Sequence, residues 1–157
     1  MSTTTKNRRK YKLNISPQTY VRVVYGDRIF FRIPRANLRP AGLARLERIE
    51  RYNNYKIAVL AEAKRIGFKM PEQGAHVTFY IPVSKSWRKH KKEAYHLQLH
   101  QERPDADNLY KSLSDSLMYE DKAIADVRIT KKWVNSDQGW IEITVENPVM
   151  RSADVLI

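Results

Sequence analysis

The stretch from residue 41 to residue 66 leaves this chain little freedom. Leu43, Leu46, Ile49, Ile57, Leu60 and Ile66 recur at spacings close to those of a helix, charged residues fill the positions between them, and Gly67 follows the last turn. The pattern predicts one long amphipathic helix, whose apolar stripe must be buried against another part of the chain. Period-two runs supply that partner. HVTFYIP, residues 76–82, sets Val77, Phe79 and Ile81 on one face before Pro82 stops the run. DVRITKKWV and WIEITVE, residues 126–134 and 140–146, alternate in the same way and are joined through NSDQG, a hairpin-like connection. TYVRVVYGDRIFFRI, residues 19–33, alternates on either side of Gly26 and Asp27 and reads as a further strand pair with a tight turn, ended by Pro34. Strands interrupted by helices and closing on an antiparallel pair predict an α/β or α+β fold with a mixed sheet. A length of 157 residues suits one such domain. Residues 1–12, polar and basic, read as a flexible arm, and residues 13–157 as the folded unit.

Charge narrows the partners. The chain carries 29 Lys and Arg against 17 Asp and Glu, a formal net charge of +12. Neutralising phosphates releases condensed counterions, so a polyanion, and nucleic acid first, is the expected ligand. Cysteine is absent, which excludes a disulfide framework, a thiolate nucleophile and a cysteine-based zinc site. The four histidines, His76, His90, His96 and His100, match no compact ligand spacing. No apolar run approaches the ~20 residues that span a bilayer, and MSTTTKNRRKYK lacks the apolar core of a signal peptide, so a soluble, cytoplasmic protein without membrane contact is expected. KSWRKHKK, residues 85–92, opens a basic helical segment that puts Lys85, Arg88, Lys89, Lys91 and Lys92 within two turns, enough to track a phosphate backbone. Trp87 either stacks on an unpaired base or docks into the core. Lys131 and Lys132, beside Trp133, add to the same basic surface.

Between these cations lies a cluster of acids. Pro104 biases Arg103 toward an extended conformation. If the extension continues, Asp105 and Asp107 point to one side, about 7 Å apart in backbone position. Two carboxylates facing one point are an economical site for a hard cation such as Mg²⁺, which keeps several waters. Asp107 or Asn108 is also a fitting N-cap for the helix that begins here. Leu109, Leu113 and Leu117 form its inward stripe, while Asn108, Lys111 and Asp115 lie on another face. Lys111 either holds a phosphate or a leaving oxygen as a point charge, or pairs with Asp115 at the surface. Glu120 and Asp121 follow. If the helix runs to about Met118, a rise of ~1.5 Å per residue carries Asp121 well over ~15 Å from Asp107. A sharp fold-back, a short or kinked helix, or a second subunit completing the cluster would each answer that separation. An EF-hand does not fit, because Tyr110 stands where its loop requires Gly.

PDADNLYKSLSDSL followed by YEDKAIADVRITK resembles the RusA-type Holliday junction resolvases of bacteriophages and prophages. The stretch is similar to that family's P-D-x-D-N-x-x-K-x-x-x-D-x-L block and its later acidic pair ahead of a strand. These motifs cover about the last third of the chain, and the order of HVTFYIP, KSWRKHKK and the aspartates extends a looser match back to about residue 75. The resemblance implies Mg²⁺-dependent resolution of four-way DNA junctions by a homodimer that nicks paired strands symmetrically. Mn²⁺ would substitute, and no small-molecule cofactor is needed. It implies that Asp105, Asp107 and Asp121 bind the metal and that Lys111 is the functional lysine, with Asn108, Asp115 and Glu120 in supporting roles. One or two Mg²⁺ ions would then lower the pKa of a bound water, align it for in-line attack, and stabilise the leaving 3′-oxygen. Glu120 stands where an Asp is common in the family, and Ala123 where Gln is frequent. The same acids and basic surface also suit a metal nuclease of broader branched-DNA preference, or a non-catalytic DNA-binding module whose aspartates only cap helices.

Overall fold

A computed structural model describes residues 9–71, 75–117 and 124–145. Four strands, β1 (Arg9–Leu13), β2 (Ala75–Pro82), β3 (Val127–Val134) and β4 (Trp140–Val145), form one sheet in the order β1-β4-β2-β3. β4 pairs antiparallel with both β1 and β2, whereas β2 and β3 run parallel, so the sheet is mixed, as expected. Among the described residues four helices accompany it: α1 (Arg28–Arg32), α2 (Pro40–Ile66), α3 (Lys89–Tyr95) and α4 (Ala106–Ser116). The architecture is α+β.

The long helix forms as its sequence requires. Pro40 stands in its first turn, where a missing N–H costs nothing. Gly67 ends it in the left-handed conformation at φ 71°, and the Phe68 N–H returns to the Ala63 carbonyl at 2.8 Å. Its buried face differs from the expected stripe. Steps of three and four residues run from Leu46 through Ile49, Tyr52, Tyr55, Val59 and Ala63, and Ile57 is left 69% exposed. Two tyrosines thus replace an isoleucine in the middle of the core face, each keeping a hydroxyl for a polar partner. Against this face pack Leu13, Val77, Phe79, Ile141 and Ile143 of the sheet, with Leu109 and Leu113 of α4. Full burial of a leucine of this kind contributes roughly 2 kcal/mol.

Three expectations are corrected. β3 and β4 are not a hairpin, because β2 lies between them and β4 pairs on its far side. The connecting chain crosses close over the end of β2 at Gly139, where a Cβ would collide with the Tyr80 carbonyl oxygen and lie 2.9 Å from Pro82 Cδ. Residues 19–33 contain no strand. Asp27 accepts the Val24 N–H at 2.8 Å and takes the Arg45 guanidinium of α2 at 3.0 and 2.9 Å, closing a 3-10 turn at Tyr25–Asp27 from which α1 follows. Gly42 leaves room for Phe30 of α1 to lie against α2. Finally, the expected arm of residues 1–12 is not wholly outside the fold. Arg9 to Lys12 belong to β1 and pair with β4, and residues 1–8 lie outside the described residues.

Candidate active site

Asp105 reaches its position through β3. After α3, residues 97–100 run along the outer edge of that strand, with Leu97 N–H bonded to Trp133 O, Trp133 N–H to Gln98 O, and His100 N–H to Lys131 O at 2.8 to 3.0 Å. Leu97 adopts φ 65°, a left-handed conformation unusual for leucine, where the chain turns from α3 into this pairing. The loop that follows is held by Lys131, whose ammonium donates to the carbonyls of Glu102 at 2.6 Å and Pro104 at 2.7 Å. Asp105 comes next, with extended backbone (φ −69°, ψ 146°), as the N-cap of α4. Its carbonyl accepts the Leu109 N–H at 3.1 Å.

The extension stops there. Ala106 is already helical, so Asp107 stands in the first turn of α4 and not in an extended run, and the cap is Asp105 in place of Asp107 or Asn108. The Asp105 side chain makes no capping hydrogen bond. Both carboxylates are exposed, and among the described residues neither has a hydrogen-bond or ion-pair partner. Two unpaired carboxylates beside a helix start are a donor set that suits a hard divalent cation retaining waters. Among the described residues there is no group of three or more His, Asp or Glu placed to hold a metal. Asp121 and Glu120 lie outside the described residues, and so does their distance from Asp107. The helix ends at Ser116, with Leu117 as its C-cap, short of Met118.

Lys111 and Asp115 do not form the surface ion pair weighed above. Asp115 accepts the Tyr52 hydroxyl at 2.6 Å and lies 3.6 Å from the Lys56 ammonium, both on α2. Burial, and then this bond to Asp115, push the Tyr52 phenol up from its ordinary range, so it stays a donor. Lys111 instead sets its ammonium 4.5 Å above the Tyr20 ring. Tyr20 sits on an extended segment joined to α4 twice: its N–H bonds to the Asn108 carbonyl at 3.2 Å, and Ser112 Oγ donates to the Gln18 carbonyl at 2.6 Å. The helix is therefore pinned from two sides while Asp107 in its first turn stays exposed.

The basic residues divide. Lys85 and Arg88 precede α3, in and beyond a turn closed by Trp87 N–H and Ser84 O, so only Lys89, Lys91 and Lys92 are helical. Trp87 docks inward, its ring centroid 5.0 Å from both Tyr95 and Trp133, and Lys91 lies 4.1 Å over it. Lys131 and Lys132 do not share a surface, since adjacent strand residues point to opposite faces. The histidines are scattered. His76 bonds Thr130 Oγ1 at 2.8 Å, His96 Nδ1 accepts the Asn135 N–H at 2.9 Å, and His90 is exposed on α3. His100 is buried with its ring 4.0 Å from that of Trp133, and burial, then the Lys131 charge, hold its pKa below the usual value.

The sequence did not point to Tyr20, Tyr52 or Lys56, and it placed Lys131 on a DNA-binding surface and not at the loop it holds. Their roles are contacts between distant segments.

A family model described as Endodeoxyribonuclease RusA matches residues 34–146. The match takes in α2 to α4 and β2 to β4, with Asp105, Asp107, Asp115, Glu120 and Asp121, and reaches well upstream of residue 75. Comparison with curated proteins returned no match.

Proposed function

Because the chain belongs to the RusA endodeoxyribonuclease family, and so is an endodeoxyribonuclease, we propose that it resolves four-way DNA junctions by paired symmetric nicks, as a divalent-metal-dependent homodimer in the cytoplasm. The observation that carries this reading is the match across residues 34–146, joined to the two exposed, unpartnered carboxylates at the start of α4. Asp105 and Asp107 would hold the ion, with Asp121 assigned to the same task by resemblance. A bound Mg²⁺, or Mn²⁺ in its place, supplies a Lewis acid that lowers the pKa of water and offsets charge developing on the scissile phosphate.

The chain's own residues do the rest. The Lys131 bonds to the loop carbonyls hold Asp105 at one orientation relative to the helix start. Lys111, one turn along, brings a positive charge to the phosphate or leaving oxygen, and the Tyr20 ring limits where that charge can go. Asp115, bonded to Tyr52 and Lys56, fixes α4 against α2. Lys85, Arg88, Lys89 and Lys92, on and just ahead of α3, supply phosphate contacts that position DNA without reading its bases. Lys91, drawn over Trp87, offers a weaker contact.

The test compares a synthetic four-way junction with a linear duplex of the same arm sequence, with Mg²⁺ or with chelator, using wild type and Asp107→Asn. Symmetric nicks confined to the junction, lost with chelator and lost in a variant that still binds, are expected. Comparable cutting of flaps, forks and duplex would mean a broader nuclease. Junction binding with no cutting under any divalent metal would leave only a DNA-binding module.

A further inference from the structure

The side of the sheet away from α2 and α4 has its own chemistry. Register places Lys10 and Lys12 of β1, Trp140 and Glu142 of β4, His76 and Tyr80 of β2, and Arg128 and Lys132 of β3 on that one face. The cations stand on the two edge strands. At ~4.8 Å between strands, these edges are about 14 Å apart, with polar and aromatic groups between them. Tyr80 and Trp140 stack there at 4.8 Å and 24°, and Lys12 lies 4.4 Å over the Trp140 ring. Among the described strand residues of this face, four cations stand against one carboxylate, Glu142, which Lys10 already pairs at 2.9 Å. The His76 imidazole registers the resulting field: burial first, then Arg128 and Lys132, hold its pKa below the ordinary value.

This face adjoins the candidate active site. Along β3, Lys131 turns toward the loop that carries Asp105, while Arg128 and Lys132 turn to the opposite face. The margin of β3, lined by residues 97–100 beside Lys131 to Trp133, thus borders both. DNA held at Asp105 and Asp107 extends beyond the bond being cut, and DNA continuing round this margin meets Lys132 and Arg128 first.

We propose that the sheet face away from α2 and α4 is a second DNA-binding surface, in which Lys10, Lys12, Arg128 and Lys132 hold the phosphodiester backbone beyond the cleavage site and the Tyr80–Trp140 pair lies beneath it. The occupant is DNA because positive edges flanking aromatic rings complement a phosphate backbone. The proposal rests on the family's endodeoxyribonuclease activity and not on selectivity for junctions.

Binding of labelled junction, linear duplex and single strand is measured over a range of salt in chelator, for wild type and for Arg128→Gln/Lys132→Gln. Lys89→Gln/Lys92→Gln, which removes two of the phosphate contacts assigned to α3, serves as the positive control for the size of the change in slope. Two lost phosphate contacts should make the slope of log K against log salt shallower by about 1.8 on duplex. Affinity at low salt should fall at least about tenfold, with the unfolding temperature unchanged. A change seen on duplex and junction assigns the face to a double-helical arm, and one confined to single strand assigns it to an unpaired segment. Unaltered slopes on all three DNAs overturn the proposal. So does a shift in sedimentation without a shift in DNA affinity, which would make the face a contact between copies of the chain. Because chelator stops cutting, the comparison reads the sheet face whether or not four-way junctions are the preferred substrate.

Discussion

The Lys131 ammonium is bonded to two carbonyls of the loop that delivers Asp105, so its substitution should act through the metal site and not through DNA. Lys131→Met keeps most of the stem and removes both donors, freeing the loop. Groups that orient metal ligands typically matter by about 10- to 100-fold in metal affinity or activity. Cleavage and Mn²⁺ affinity, the latter by calorimetry, should therefore fall by that order. DNA affinity in chelator should stay within about twofold, since no phosphate contact is lost. Lys131→Arg should restore most of the metal affinity. A salt slope shallower by about one, with metal affinity intact, would instead make Lys131 a phosphate contact. Asp105, Asp107 and Lys111 were legible in the sequence because their residue types and spacing belong to one short local block. Lys131 was not, because its role depends on which face of β3 it occupies and on a loop 27 residues away in sequence.

At the scale of elements, helices α2, α3 and α4 and the individual strands β2, β3 and β4 were legible in the sequence, but α1 and the pairing of the strands were not. An alternating run states which side chains share a face and says nothing of its neighbour, so β3 and β4 looked like a hairpin until β2 was found between them. Gly139 is where that crossover is decided. Gly139→Ala puts a methyl group into the Tyr80 carbonyl and against Pro82, and should cost about 2–3 kcal/mol in urea unfolding. The segment around Asp27 misled for a different reason, since its alternation is real but its polar anchor lies on α2. Arg45 first, then the Val24 N–H, hold the Asp27 carboxyl down from 3.8 to about 2. A depressed carboxyl stabilises the fold above its unfolded pKa and ceases to do so as pH falls through the folded value. Part of the stability should thus disappear between about pH 4 and pH 2. Asp27→Asn should lower the melting temperature at pH 7, and its curve should converge with that of wild type as pH approaches 2. Parallel curves over that interval would assign the acid sensitivity elsewhere.

At the scale of the whole molecule, a formal charge of +12 draws any DNA to the protein but cannot by itself make two cuts related by symmetry. One chain carries one pair of aspartates at the start of α4, whereas a four-way junction presents two equivalent strands about a two-fold axis. Two copies related by that axis are the simplest way to address both. Sedimentation should accordingly give twice the 18.5 kDa chain mass at working concentration. A mixing experiment then reads the assembly through its product. Wild type and Asp107→Asn, exchanged at equal amounts before a supercoiled cruciform plasmid is added, should form dimers of which about one quarter hold two live sites and about one half hold one. Dimers with two live sites linearise the plasmid by paired cuts, and those with one leave a nicked circle. Nicked circles should therefore rise steeply at the expense of linear product as the inactive chain is added. A linear product that declines only in proportion to the live chain, with no build-up of nicked circle, would mean that each chain makes both cuts, and the dimer would then be unnecessary to the symmetry of the reaction.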